Sequence, residues 1–177
     1  AIQAGYRSKR IQDFIANMTL KSEPPYQTKQ SLIAIGSGKF LGRGYGGSIQ
    51  KYYFLPEIHT DYIFSGYSEE MGFIGVLLLI ALYLALVVVI VITIAKARDF
   101  FAKYILTGIL VMISTQIIGN IGVVSGLIPS TGIPLPLMSY GGSTTIALMI
   151  SLGIVYNIIK SIYEQEEETI EEFEYEM

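Results

Sequence analysis

Two long uncharged stretches dominate the sequence. The first runs from Met71 to Ala95 and can cross a hydrocarbon core of about 30 Å as one helix, which needs about 20 residues. The second, from Tyr104 to Ile159, is too long for one crossing and is interrupted by Pro129, Pro134 and Pro136. The pattern predicts an all-α polytopic membrane protein with three transmembrane helices, at about 71–95, 104–127 and 142–159, and a proline-rich loop at 128–141.

The polar ends of the chain are predicted to lie outside the membrane. Residues 1–65 are expected to form a large loop with short helices, and the glycine-rich part at 26–55 to be a folded loop, because each glycine costs a helix about 1 kcal/mol relative to alanine. Pro56 suits the first turn of a helix that would carry Glu57 and Asp61 on one face and continue into the first span. The glutamate-rich residues 161–177 are expected to be a disordered acidic tail.

Composition supports a membrane protein and excludes several kinds of site. Of the 177 residues 51% are hydrophobic and 15% are charged, whereas soluble domains carry about a quarter charged residues. There is no cysteine, which excludes disulfide scaffolds, thiolate metal sites and cysteine nucleophiles. His59 is the single histidine, so a histidine-rich metal site is excluded as well.

Charge predicts the orientation of the spans. The loop at 96–103 carries Lys96, Arg98 and Lys103, whereas the proline-rich loop carries no charge, so the positive-inside rule places 96–103 in the cytoplasm. The long N-terminal region and the proline-rich loop are then extracytoplasmic, and the acidic tail is cytoplasmic. Eight of the twelve Lys and Arg residues precede residue 52, and on the outer side they would suit an anionic ligand.

The segment before the first span, SIQKYYFLPEIHTDYIFSGYSEE (48–70), concentrates candidate chemistry. Asp61 lies four residues from Glu57 and two from His59, where the chain enters a region of low dielectric constant. A neighbouring like charge and partial desolvation both raise the pKa of a carboxyl group, which tunes it as a general base for glycosyl transfer or hydrolysis. The alternative, ordinary polar residues at headgroup level beside an aromatic belt, stays open from the residues alone.

The uncharged stretch NIGVVSGLIPSTGIPLPLMSYGGSTT (120–145) is the second candidate. Its prolines forbid a continuous helix, and irregular backbone at membrane depth is tolerated only where it is buried in protein or lines a cavity. The stretch therefore either packs only, or forms a cavity wall with Ser139 and Tyr140 in its polar lining. Gln116 and Asn120 stand at i, i+4 on the preceding span, and we expect both to face protein rather than lipid.

Three blocks of the sequence resemble the signature motifs of one family. QSLIAIGSGKFLGRG, SIQKYYFLPEIHTDYIFSGYSEEMGFIG and NIGVVSGLIPSTGIPLPLMSYGGS are similar to blocks of the SEDS family (FtsW/RodA/SpoVE), membrane proteins that polymerise bacterial glycan strands from lipid II. The resemblance covers roughly residues 26–156. It implies the C-terminal part of a bundle of about ten spans in the bacterial inner membrane, with 1–65 as a large extracytoplasmic loop. SIQK and NIGVV favour the FtsW branch slightly.

The resemblance also implies roles for individual residues. Asp61 matches the aspartate of the HTD motif and would be the catalytic base. The residues implied to bind substrate lie near this motif or in the uncharged loop, and are Lys39, Arg43, Gln50, Lys51, Glu57, His59, Thr60, Ser139 and Tyr140. Lys39, Arg43 and Lys51 would stabilise a pyrophosphate leaving group. A divalent cation, Mg²⁺ or Mn²⁺, is an optional cofactor of unknown ligands, since hard oxygen ligands suit it, and no other cofactor is expected.

The partners implied by the resemblance are lipid II, a class B penicillin-binding protein that acts as transpeptidase, other divisome or elongasome membrane proteins, and membrane lipid; no nucleic acid is expected. Two other functions stay open. A lipid II flippase would keep its transport in an Asp61→Asn variant, and a non-catalytic membrane scaffold for a transpeptidase would not be affected by that change.

Overall fold

The computed structural model describes residues 24–50 and 60–176. This part of the chain contains no β-strand, and its long helices are α1 (Tyr26–Ser37), α2 (Ile63–Lys96), α3 (Phe100–Val124) and α4 (Gly142–Glu176). Three segments have the length and composition to cross a membrane, namely Ile63–Lys96, Phe100–Val124 and Gly142–Gln165. The predicted all-α fold with three transmembrane helices is therefore confirmed.

Helix α1 corrects the expectation of a folded loop throughout 26–55. Residues 26–35, YQTKQSLIAI, contain neither glycine nor proline, and Pro25 stands immediately before the first turn. The run of glycines begins only at Gly36, and the helix ends one residue later at Ser37. Residues 26–35 therefore form a helix because they contain no helix-breaking residue, and the glycines that begin at Gly36 favour the turns that follow.

The C-terminal residues also differ from expectation. α4 continues beyond the apolar span to Glu176, where a disordered tail was expected from residue 161. No glycine or proline follows Gly153, and glutamate is a good helix former, so the helix has no signal to stop at the end of the span. Lys160 and Glu164 form an i, i+4 ion pair with a distance of 3.3 Å between Nζ and Oε1.

The turn before α2 changes the setting of the predicted catalytic residue. Thr60, Asp61 and Tyr62 form this turn, and α2 begins at Ile63. Asp61 therefore lies in a turn rather than on a helix face. The predicted helix opened by Pro56 and carrying Glu57 falls in residues 51–59, which lie outside the described residues.

The chain divides into two compact units. The described residues of unit 1 fall within 24–50, 60–80 and 116–141, and those of unit 2 within 81–115 and 142–176. Unit 2 buries aliphatic side chains such as Ile90, Leu106 and Val155, and Asp99 caps the start of α3 through the backbone N–H groups of Phe101 and Ala102. Unit 1 contains the turn with Asp61.

A kink in α2 shapes unit 1. Gly72 interrupts the helix with φ 66° and ψ −166°. In a regular helix the N–H of Phe73 would donate to the carbonyl of Glu69, and that of Ile74 to the carbonyl of Glu70. The kink separates these pairs, so two N–H groups and two carbonyls near the membrane entrance need other partners.

The turns after α1 supply all four partners. Within the loop 39–44, two carbonyls accept from the freed N–H groups and two N–H groups donate to the freed carbonyls. The N–H of Phe73 donates to the carbonyl of Lys39 (2.9 Å), and the N–H of Ile74 donates to the carbonyl of Phe40 (3.2 Å). In the other direction, the N–H of Arg43 donates to the carbonyl of Glu69 (3.0 Å), and the N–H of Gly44 donates to the carbonyl of Glu70 (3.0 Å). The loop 39–44 thereby replaces the hydrogen bonds that the kink removes.

This pairing requires glycine on both sides. Gly42 has φ 76°, and a Cβ added there would collide with the carbonyl of Glu70. A Cβ added at Gly72 would collide with the backbone nitrogen of Gly42. Positive φ and close backbone approach are both conditions that only glycine meets without strain. Gly42 of the segment GSGKFLGRG and Gly72 of the segment MGFIG therefore pack directly against each other.

Candidate functional site

The turn at Thr60–Asp61 is held by Asn120 near the end of α3. Its Nδ2 donates to the carbonyl of Asp61 (2.8 Å) and to the carbonyl of Ile133 in the proline-rich loop (2.8 Å). Asn120 is 1% exposed. An amide nitrogen has two hydrogens, so one side chain can tie both backbone segments together. The prediction that Asn120 faces protein is confirmed.

Ser139 makes a second connection between the same segments. Its Oγ donates to the carbonyl of Thr60 (2.5 Å) and accepts from the N–H of Leu135 (2.7 Å). We call the backbone of Thr60 and Asp61, together with the side chains of Asn120 and Ser139, the Asp61 clamp. The two side chains donate hydrogen bonds to the successive carbonyls of Thr60 and Asp61, and these bonds hold the backbone at Asp61.

The proline-rich loop also lies beside the carboxylate of Asp61. A Cβ added at Gly132 would lie 3.4 Å from Oδ2 of Asp61, and the φ of Gly132 is +73°. Leu137 adopts a positive φ of 64°, between Pro136 and the residues that lead to Ser139. The irregular backbone of the loop therefore lies close to the half-buried Asp61, and its role as a cavity wall stays a prediction.

A second cluster surrounds Glu69, one turn before the kink in α2. Glu69 is 1% exposed, and its carboxylate accepts hydrogen bonds from Oγ of Ser48 (2.6 Å) and from the N–H groups of Ile49 (3.3 Å) and Gln50 (3.1 Å). Nε of Arg43 lies 3.5 Å from its Oε1. Two predicted substrate-binding residues, Arg43 and Gln50, thus contact this buried acid.

The structure brings some of the predicted site residues together and separates others. Thr60, Asp61 and Ser139 meet in the Asp61 clamp, and Tyr140 follows it with 80% of its surface exposed. Lys39 is exposed and lines a groove of about 630 Å³ that is otherwise mainly apolar. The predicted residues Lys51, Glu57 and His59 lie outside the described residues.

Two important residues are absent from the sequence-based site prediction. Asn120 was predicted to face protein but not to contact the turn that carries Asp61. Glu69 had a recognisable signal, because it lies two residues before the apolar run that begins at Met71, and a carboxylate buried there needs protein donors. Gln116, expected to face protein, is half-buried, and its Oε1 is buried without a hydrogen-bond partner among the described residues.

Metal binding finds little support in this part of the chain. Within 24–50 and 60–176 no group of three His, Asp or Glu side chains could hold a metal ion. The carboxylate of Glu69 is already occupied by protein donors. Among the described residues, therefore, no set of side chains fits a protein-held cation.

Three apolar helices, and an aspartate whose backbone carbonyl is held just before the first of them, define a multi-pass α-helical membrane protein with a candidate acid–base site. The sequence profile of the family described as "Cell cycle protein" (FtsW/RodA/SpoVE) matches residues 1–164. The chain belongs to this family, and the resemblance found in its motifs is confirmed.

Individual relatives cover most of the chain. Stage V sporulation protein E of Bacillus subtilis is 41% identical over 157 residues, which are 89% of this chain and 43% of that protein. Peptidoglycan glycosyltransferase MrdB of Escherichia coli is 44% identical over 134 residues, or 75% of this chain and 36% of that protein. The chain therefore spans less than half the length of these relatives.

A solved structure has a similar fold. One chain of a peptidoglycan synthase complex that coordinates polymerization and crosslinking matches with a TM-score of 0.62 and 30% sequence identity. The match covers 76% of this chain and 37% of that one.

Proposed function

We propose that this chain carries the catalytic aspartate of a peptidoglycan glycosyltransferase. The observation that carries the proposal is the Asp61 clamp, which fixes an acid at the entrance to the first span through Asn120 and Ser139. A general base must be held within hydrogen-bond reach of the hydroxyl that it deprotonates, and a held backbone at Asp61 restricts where its carboxylate can lie. The name of MrdB as a peptidoglycan glycosyltransferase supports the assignment.

In the proposed reaction the substrate is lipid II. The carboxylate of Asp61 takes the proton of the acceptor GlcNAc 4-hydroxyl, and the oxygen forms a bond to C1 of the donor MurNAc. The bond from C1 to the pyrophosphate oxygen breaks with inversion, and undecaprenyl pyrophosphate leaves with the electron pair. No covalent bond to the protein forms.

Basic residues are proposed to stabilise the charge on the leaving group. Lys51 and Lys39 would serve this role, with Arg43 contributing in part because it also faces Glu69. Glu57, His59 and Thr60 would orient the base or the sugars, and Gln50, Ser139 and Tyr140 would line the site.

The setting proposed for this reaction is the outer face of the bacterial inner membrane. The charged loop 96–103 would then be cytoplasmic, and the Asp61 clamp extracytoplasmic. We propose a class B penicillin-binding protein as partner, together with other division or elongation proteins; the similar chain from a peptidoglycan synthase complex supports a partnership of this kind. We propose a role in division rather than elongation only because the segments SIQK and NIGVV resemble those of FtsW.

The decisive experiment measures glycan polymerisation from lipid II by the full-length protein with its transpeptidase partner. Asp61→Asn should keep substrate binding and lower the rate by about 10²–10⁴-fold, the usual loss on removing a general base. Asp99→Asn is the matched control, because asparagine also caps a helix, and it should retain the rate. Glycan strands formed at the normal rate by Asp61→Asn would rule out Asp61 as the catalytic base.

A further inference from the structure

A groove in unit 1 lies beside the part of α2 where the uncharged run begins. It has a volume of about 630 Å³ and is formed by the end of α1, the loop 39–44 and the kinked part of α2. Its lining includes Ile35, Gly36, Lys39, Phe40, Phe73 and Val76. The uncharged run starts at Met71, so Phe73 and Val76 belong to the part of the helix that enters the hydrocarbon. The groove therefore connects the polar surface with the apolar span.

The walls of this groove are apolar and accessible. Phe40 and Phe73 are both exposed, and their rings meet edge to face with centroids 5.9 Å apart. A Cβ added at Gly36 would have no atom within 4 Å, so there is open space beside the end of α1. An accessible apolar groove with a few polar groups at its edge is typical of a site for an apolar ligand.

The polar edge of the groove carries positive charge. Lys39 is exposed, and its φ of 50° lies in the left-handed region, which is strained for a residue with a Cβ. Strained positions of this kind cluster at ligand sites. The segment 39–47 contains a second cation, Arg43, and no acidic residue, while Glu69, the acid that faces Arg43, is buried. The charge at this edge complements an anionic group such as a lipid phosphate.

We propose that the groove binds the polyprenyl chain of the lipid substrate, with Lys39 at the pyrophosphate and the two phenylalanine rings along the first isoprene units. The inference rests on the proposed function, in which Lys39 stabilises that pyrophosphate. Asp61 precedes the uncharged run, whereas Phe73 and Val76 lie within it, which matches the order of sugar, pyrophosphate and chain in the substrate. One groove beside one cation suits a lipid with a single chain better than a bilayer phospholipid, which has two.

The test measures the affinity of the full-length protein, in nanodiscs of phosphatidylcholine, for undecaprenyl pyrophosphate and for inorganic pyrophosphate, which has no chain. Gly36→Leu fills the groove from a helical position with open space around it. It should weaken binding of undecaprenyl pyrophosphate at least about tenfold, which corresponds to the loss of about two methylene contacts. Binding of inorganic pyrophosphate should not change. Lys39→Ala should weaken the binding of both.

Two control variants make the result specific to the groove. Gly108→Leu is the same change at an exposed helical glycine of α3 with nothing within 4 Å of its added Cβ, and it should bind as the parent does. If Gly36→Leu does not fold, Phe73→Ala decides by removing one apolar wall, with the exposed Phe101→Ala as its control. Undecaprenyl pyrophosphate bound as tightly by the deciding variant as by its control would overturn the inference, and so would an equal loss for both pyrophosphates.

Other occupants of the groove would give different results. Competition by added phosphatidylglycerol that is lost in Gly36→Leu would assign the groove to a bilayer phospholipid. A lower thermal midpoint in Gly36→Leu than in Gly108→Leu, with unchanged affinity for undecaprenyl pyrophosphate, would mean that another part of the full-length protein fills it. Either result overturns the inference and leaves the proposed function intact. A parent protein that does not bind undecaprenyl pyrophosphate at all would reject the lipid substrate of the proposed function itself.

Discussion

The side-chain amide of Asn120 donates to the carbonyl oxygen of Asp61 at 2.8 Å, across 59 positions of the sequence. The same nitrogen donates to Ile133, so the end of α3, the turn before α2 and the proline-rich loop meet at one buried side chain. The clamp therefore ties the turn that carries Asp61 to two other segments of unit 1.

Replacing Asn120 should therefore impair both stability and catalysis. Asn120→Ala removes the donor of two carbonyls, and a buried acceptor left without its partner costs about 1–3 kcal/mol. We expect lower thermal stability in detergent and a fall in kcat for polymerisation, with a smaller change in KM. Asn157→Ala, at an exposed position of α4, is the control and should match the parent. Full kcat and stability in Asn120→Ala would contradict the role given to the clamp.

Replacing Ser139, the second side chain of the Asp61 clamp, should also impair catalysis. Ser139→Ala removes the bond to the carbonyl of Thr60, next to the carbonyl held by Asn120. We expect a reduced kcat, and the loss in the Asn120→Ala/Ser139→Ala double variant should be smaller than the sum of the single losses, because both act on one turn. Ser151→Ala serves as control, since this half-buried serine donates to the carbonyl of Ala147 in its own helix. Strictly additive losses would mean that the two side chains act independently.

The contact between Gly42 and Gly72 should be intolerant of a methyl group. Both residues have positive φ, and an added Cβ would strike backbone on the opposite side. Gly42→Ala or Gly72→Ala should lower the thermal midpoint of the purified protein by several degrees, as expected for a loss of about 1–3 kcal/mol from a strained backbone position. Gly108→Ala is the control, since nothing lies within 4 Å of its added Cβ. A Gly72→Ala protein as stable as Gly108→Ala would disprove this close packing.

The proposed orientation can be tested by cysteine labelling, because the chain has no cysteine of its own. Tyr45, 92% exposed, and Thr131, also exposed, are suitable for substitution by cysteine on the proposed outer side. Ser161, exposed after the last span, is suitable on the other side. In intact cells an impermeant maleimide should label Tyr45→Cys and Thr131→Cys, and should label Ser161→Cys only after permeabilisation. The reverse pattern would invert the topology and exclude extracytoplasmic lipid II chemistry at Asp61.

The number and type of the transmembrane helices were determined by the sequence alone. A hydrocarbon core accepts only segments whose backbone is hydrogen-bonded internally and whose side chains are apolar, so an uncharged run such as Met71–Ala95 has no other stable solution. The family was equally accessible, because its motifs are long and contiguous. Asp61 was identified as the candidate base in this way, together with its neighbours Thr60 and Ser139.

Only the tertiary structure decided how these residues are held. Glu69 finds its donors about twenty positions earlier in the chain, and Asn120 finds Asp61 59 positions away, and no local pattern predicts such pairs. The kink at Gly72 looks like an ordinary helical glycine until the loop 39–44 is seen to take over its hydrogen bonds. The apolar spans are predictable because the hydrocarbon core imposes the same requirement on every residue within it. The Asp61 clamp and the Glu69 cluster are not, because buried polar groups pair with whichever partners the fold brings close, and those partners are distant in the sequence.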